Sequence, residues 1–137
     1  MTKLFLTPTL VTLLFLVFSS SSCGQTPKKG ISEANTSPNV QVLQFHSTHR
    51  CVTCNHIEKL TKETLQKYPA IPFILVNVDD KKNEKIAEKF EATGTALFLF
   101  NPKTGSKKDL TDFAFMKAKN KPEEFKKGLE KEINLFK

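Results

Sequence analysis

A chain of 137 residues with a formal charge of +7 and three cysteines has room for one small folded domain once its ends are set aside. The positive charge makes no nucleic-acid footprint: most lysines fall in Lys81-Lys82, Lys107-Lys108 and the C-terminal segment, interleaved with Glu and Asp as on a solvated helix surface. Nucleic acid is therefore not expected as a partner, weak attraction to anionic lipid headgroups near the anchor is compatible with the charge, and no internal repeat is visible.

The N-terminus reads as a targeting segment outside the fold. Lys3 supplies a positive n-region, Leu10 to Phe18 an apolar run broken only by Thr12, and Ser19 to Ser22 the small residues of a secretory signal, here residues 1–22. The run is too short to span a bilayer comfortably. Cys23, directly after the small residues, resembles the lipobox cysteine of bacterial lipoproteins, although the Leu usual three positions earlier is Ser20. That resemblance implies that Cys23 becomes the lipidated first residue of the mature chain; the alternative is ordinary cleavage near Ser22. Either outcome exports the chain. Residues 24–38 are rich in Gly, Ser, Thr, Pro, Asn and Lys and read as a flexible tether, so 23–38 form the anchor and linker and 39–137 the folded domain. The expected location is a bacterial cell envelope, on the periplasmic side, with Cys23 as a lipid anchor. Disulfides persist there, and acylation of Cys23 would leave Cys51 and Cys54 as the only free thiols.

Within the domain, Val40 to His46 reads as a strand, and Cys51-Val52-Thr53-Cys54 opens a helix that runs to Tyr68, with Ile57, Leu60, Leu65 and Tyr68 on its apolar side and Pro69 and Pro72 beyond its end. The first sulfur would sit at the helix N-terminus, where unpaired N–H groups and the helix dipole favour a thiolate. The second, at i+3 on the same face, is near enough to close a disulfide. The pair is predicted to cycle, with Cys51 as nucleophile and Cys54 as resolving thiol. Half of a zinc site is the alternative, but His49 and His56 complete no common zinc spacing; a purely structural disulfide would restrain little chain across so short a loop. His46, His49, Arg50 and His56 surround the motif. A cation among them would stabilise the Cys51 thiolate, and His46 or His49 would relay a proton, unless they are simply solvated. Glu58 is expected as a surface partner of Lys62 at i+4.

Pro72 to Val78 is a near-continuous apolar run and reads as a central strand covered on both faces. Asp79-Asp80 then caps a short helix from about Asn83 to Phe90. Thr95 to Phe100 is a third strand, Asn101 to Gly105 a turn, and Ser106 to Leu110 its antiparallel hairpin partner. Thr111 to Met116 begins a helical turn. Pro122-Glu123-Glu124 opens a final helix with Phe125, Leu129, Ile133 and Phe136 on its apolar face. The order β-α-β-α-β-β-α makes the domain α/β.

These residues resemble the thioredoxin family: Gln44-Phe45-His46 ending the first strand, the Cys51-Val52-Thr53-Cys54 helix start, Ile74 to Val78 leading to Asp79, and Ala92-Thr93-Gly94-Thr95-Ala96-Leu97. The resemblance covers nearly the whole mature domain and is nearest in style to the anchored or secreted thioredoxin-like proteins of bacterial envelopes. It implies a thioredoxin-like three-layer sandwich with a mixed central sheet, and a thiol–disulfide oxidoreductase, more a reductase than an oxidase, acting on protein thiols and disulfides. It implies no cofactor and no metal, and a membrane electron donor. Three departures stand out. The family's aromatic-Cys-Gly-Pro-Cys is Arg50-Cys51-Val52-Thr53-Cys54; Thr95 or Ala96 replaces the loop's cis-proline, where a trans peptide is expected because a non-proline cis bond costs ~3 kcal/mol; and the family's buried acid falls near Gln44 or Phe45, neither of which ionises. The motif also resembles the Cys-x-x-Cys of heavy-metal-associated domains, which makes a metal-binding module the second reading, and a redox-inactive adaptor of the same fold the third.

Overall fold

The structure is a computed structural model that describes residues 39–136. The expected signal segment 1–22, Cys23 and the tether to residue 38 lie outside the described residues.

Period-two alternation of side chains builds the sheet. β1 (Gln41–His46) runs parallel to β2 (Phe73–Asn77) and antiparallel to β3 (Ala96–Phe100), and β3 pairs antiparallel with the short β4 (Lys107–Asp109). The strand order is β2-β1-β3-β4. From β1, Val42 packs on one side of the sheet with Leu97 and Leu99 of β3, while Leu43 and Phe45 pack on the other with Phe98.

The first side is covered by α1 (Val52–Leu65), α3 (Thr111–Ala118) and α4 (Pro122–Phe136), which bring Ile57, Leu60, Leu65, Ala114, Ala118, Phe125, Leu129 and Ile133 into one core. The second is covered by α2 (Glu84–Phe90), entered through the 3-10 turn Lys81–Asn83. Phe90 of α2 meets Phe45 and Phe98 with ring centroids 5.3 and 5.1 Å away. Two helical layers thus enclose a mixed sheet, the α/β sandwich expected from the sequence. Among the described residues no helix is long and apolar enough to cross a membrane.

The structure corrects several expectations. The strand expected at the centre, β2, lies at the sheet edge, and its Leu75 is 39 % exposed. An unbroken apolar run reports helices above and below a strand but says nothing of neighbours along its edges. The helical turn expected from Thr111 is a full helix to Ala118, giving the order β-α-β-α-β-β-α-α. α1 ends at Leu65, three residues early, although the ring of Tyr68 still packs against its core.

One glycine sits under an aromatic ring. A Cβ on Gly128 of α4 would lie 2.5 Å from the Phe113 ring of α3, which stacks on Phe125 at 5.5 Å. A methyl there would force the Phe113 ring to move.

Candidate functional site: a buried and an exposed thiol

The central strand ends at His46 and hands the chain to a loop tied down from a neighbouring segment. Thr48 N donates to Asp79 Oδ2 at 2.6 Å, and Asn77 Nδ2 donates to Thr48 Oγ1 at 3.2 Å. The hydrogen bonds from Thr48, with smaller help from His49 and His46, hold the Asp79 carboxyl below its usual range. The loop delivers Cys51 to the N-cap of α1 with extended backbone angles, φ −80° and ψ 164°. Its Sγ accepts from Cys54 N at 3.4 Å, the task a Ser, Thr, Asp or Asn oxygen performs at many N-caps.

The two thiols differ in access: Cys51 is exposed, and Cys54, one turn inward, is fully buried. Cys54 Sγ receives Gln44 Nε2 at 3.4 Å and Arg50 Nη2 at 3.3 Å. Gln44 Nε2 also donates to Cys54 O at 2.9 Å, while Gln44 Oε1 is buried with no partner. Arg50 is ion-paired through Nη1 with Glu58, and Glu58 also pairs with Lys62. Burial works against the Arg50 charge, but the hydrogen bonds to Cys54 and Glu58 outweigh it and the guanidinium pKa is raised. Hydrogen bonding by Lys62, opposed by burial and reinforced by Arg50, lowers the Glu58 pKa.

Several candidates named from sequence sit elsewhere than expected. Arg50 touches Cys54 rather than Cys51, because from the position before the N-cap its side chain runs along the helix toward Glu58. His46 Nδ1 lies 3.0 Å from Ser47 O, His49 is exposed, and neither imidazole hydrogen-bonds a sulfur. His56 Nδ1 is buried without a partner. Glu58 does pair with Lys62, yet it is the anchor of Arg50 as well, a role that sequence reasoning missed.

The pairing of Phe45 with Ala96 brings the loop before β3 into the sheet at the end where β1 delivers the dithiol. Thr95 and Ala96 line a surface hollow of about 590 Å³ with Phe90, Phe98 and Thr111, and neither cysteine reaches it. Among the described residues no three His, Cys, Asp or Glu side chains are grouped to hold a metal ion.

Gln44 is the other site residue underrated from sequence, noted only as a place where an acid was missing. The signal was present: two residues from Val42, it had to share that residue's face, toward α1.

No family model matches the chain. A protein of Arabidopsis thaliana provisionally named thioredoxin H10 is 33 % identical over 69 residues, 50 % of this chain and 44 % of that protein. The chain thus spans less than half the length of the curated relative it matches. Among solved structures, thioredoxin O2 of Arabidopsis thaliana in its oxidized state is 24 % identical, covering 52 % of this chain and 60 % of that one, with a TM-score of 0.43. Fasciola hepatica thioredoxin is 22 % identical over 55 % of this chain and 68 % of that one, with a TM-score of 0.43. The deciding observation is internal: a central β1 parallel to β2 and antiparallel to β3, with a Cys-x-x-Cys helix starting just beyond its end. The fold is thioredoxin-like. In this thioredoxin-like domain the inner sulfur is met by the amide of Gln44 and the guanidinium of Arg50.

Proposed function

We propose that the protein is a thiol–disulfide oxidoreductase that works on protein disulfides outside the cytoplasmic membrane, held there by a lipid on Cys23. The observation that carries the chemistry is the pairing of an exposed Cys51 at a helix N-cap with a buried Cys54 behind it. In the reducing direction, the Cys51 thiolate attacks one sulfur of a partner disulfide, and the partner's other sulfur leaves and takes a proton. Cys54 then attacks Cys51 Sγ in the mixed disulfide. The Cys51–Cys54 bond forms, the partner's remaining sulfur leaves, and two electrons and two protons have passed to the partner. A membrane electron donor would return the pair to the dithiol. Reduction is the preferred direction by analogy with the anchored thioredoxin-like proteins that the chain resembles.

The test is trapping. Cys54→Ser should accumulate mixed disulfides with partner proteins through Cys51, and Cys51→Ser should accumulate none. Equal labelling of both thiols by a bulky alkylating reagent, with no trapped partner, would remove the case for catalysis. The location is tested separately: Cys23 should take up acyl label and the protein should partition into detergent, both lost in Cys23→Ala. An unmodified Cys23 in a soluble wild-type protein would leave simple secretion in its place.

A further inference from the structure

A resolving thiol buried in a protein must carry negative charge at the moment it attacks, and a buried charge needs partners. Two N–H donors converge on Cys54 Sγ from different parts of the chain, Gln44 from β1 and Arg50 from the loop before α1. One of them is a cation, and hydrogen bonds to a charged partner are the strong ones. Arg50 is fixed in place by Glu58, one turn beyond Cys54 on the same helix. Glu58 is shared with Lys62, so a single carboxylate stands between two cations and the cluster keeps one net positive charge. A thiolate on Cys54 would complete it.

Resting on the oxidoreductase reading above, we propose that Gln44 and Arg50 form a cradle for the Cys54 thiolate of the resolving step, with Glu58 as the residue that positions Arg50. The cradle replaces a nearby acid–base group with fixed donors. Arg50 stays protonated and Gln44 does not titrate, so neither keeps the Cys54 proton, which ends on the departing sulfur. The Cys54 lone pair forms the bond to Cys51 Sγ, the bond between Cys51 and the partner sulfur breaks, and that sulfur leaves with the pair. Of the charged or titratable groups around the motif, Arg50 reaches Cys54 directly and Glu58 through it. No histidine hydrogen-bonds the sulfur. Because both contacts belong to the reduced pair, they also favour the dithiol over the disulfide.

The full chain treated with the neutral reagent 4,4′-dithiodipyridine separates the two steps. Attack by Cys51 releases one thiopyridone, and resolution by Cys54 releases a second. Arg50→Ala should slow the second release by at least about tenfold, the loss expected for one charge-assisted hydrogen bond, and leave the first within about twofold. Gln44→Leu should slow the second release by less. Glu58→Gln, which keeps the side-chain volume and guards against misfolding, should do the same through Arg50, and Arg50→Lys should recover part of the rate. In a glutathione titration, the Arg50→Ala dithiol should be about tenfold easier to oxidise, a fall of ~30 mV in reduction potential. Slowing of the first release alone, equal slowing of both, or no change in either rate would overturn the cradle and leave the dithiol reading standing. A folded wild type that releases only one thiopyridone overturns the oxidoreductase reading as well.

Discussion

Leu43 and Phe45 leave β1 for a core of Val76, Phe90, Ala92 and Phe98, whereas Val42 and Gln44, one residue out of step, face a layer in which Gln44, Cys54, Thr61 and Thr64 are all buried. The first face is held by apolar packing centred on aromatic rings, with Phe45 and Phe98 edge-to-face at 5.8 Å. The second leaves Gln44 Oε1 and Thr61 Oγ1 buried with no protein partner. An unsatisfied buried group costs roughly 1–3 kcal/mol, so the dithiol face gives up stability that the aromatic face keeps. One strand therefore packs an apolar core on one side and lines the dithiol on the other.

The largest effect should come from the aromatic face. Phe45→Ala should cost about 3–5 kcal/mol in denaturant unfolding while leaving thiol exchange by the folded protein unchanged. A loss of exchange in the folded fraction would break the division between the faces. Gly128→Ala comes next, at about 1–3 kcal/mol in the same measurement, because its methyl would meet the Phe113 ring. Phe113→Leu in that background should recover part of the loss.

Gln44→Leu sharpens the contrast from the other side. Removing an amide with an orphaned oxygen should alter stability by less than about 1 kcal/mol, in the stabilising direction. A large destabilisation would mean that Gln44 is there for the fold rather than for Cys54.

The smallest effect is the pH dependence of Glu58. Its folded pKa is lowered, first by Lys62 and then by Arg50, so its contribution is fully present above the unfolded carboxyl value of about 4.3 and is lost as pH falls through the lower folded value. Glu58→Gln should therefore be less stable than wild type by under ~1 kcal/mol at neutral pH. That gap should close in acid, as read by unfolding curves from pH 7 to pH 3. A gap that persists at the acid end would show that packing of the side chain, not its charge, is what counts.

The sequence by itself determined whatever depends on neighbours a few residues away. The alternation in Val42 to Phe45, the Cys51–Cys54 turn, the Pro122 helix start and the apolar stripe from Phe125 to Ile133 were all legible, because strand and helix periodicity are local. The tertiary structure alone decided the rest. β2 went to the edge because β1 pairs on both sides, a choice made by residues some thirty positions apart in register. The segment after Thr111 became a full helix because Ala114 and Ala118 found a core against α1 and α4. Arg50 could be seen beside Cys51 in the sequence. Its side chain settled on Cys54 and Glu58 because burial leaves a guanidinium only the partners that the folded chain brings within reach.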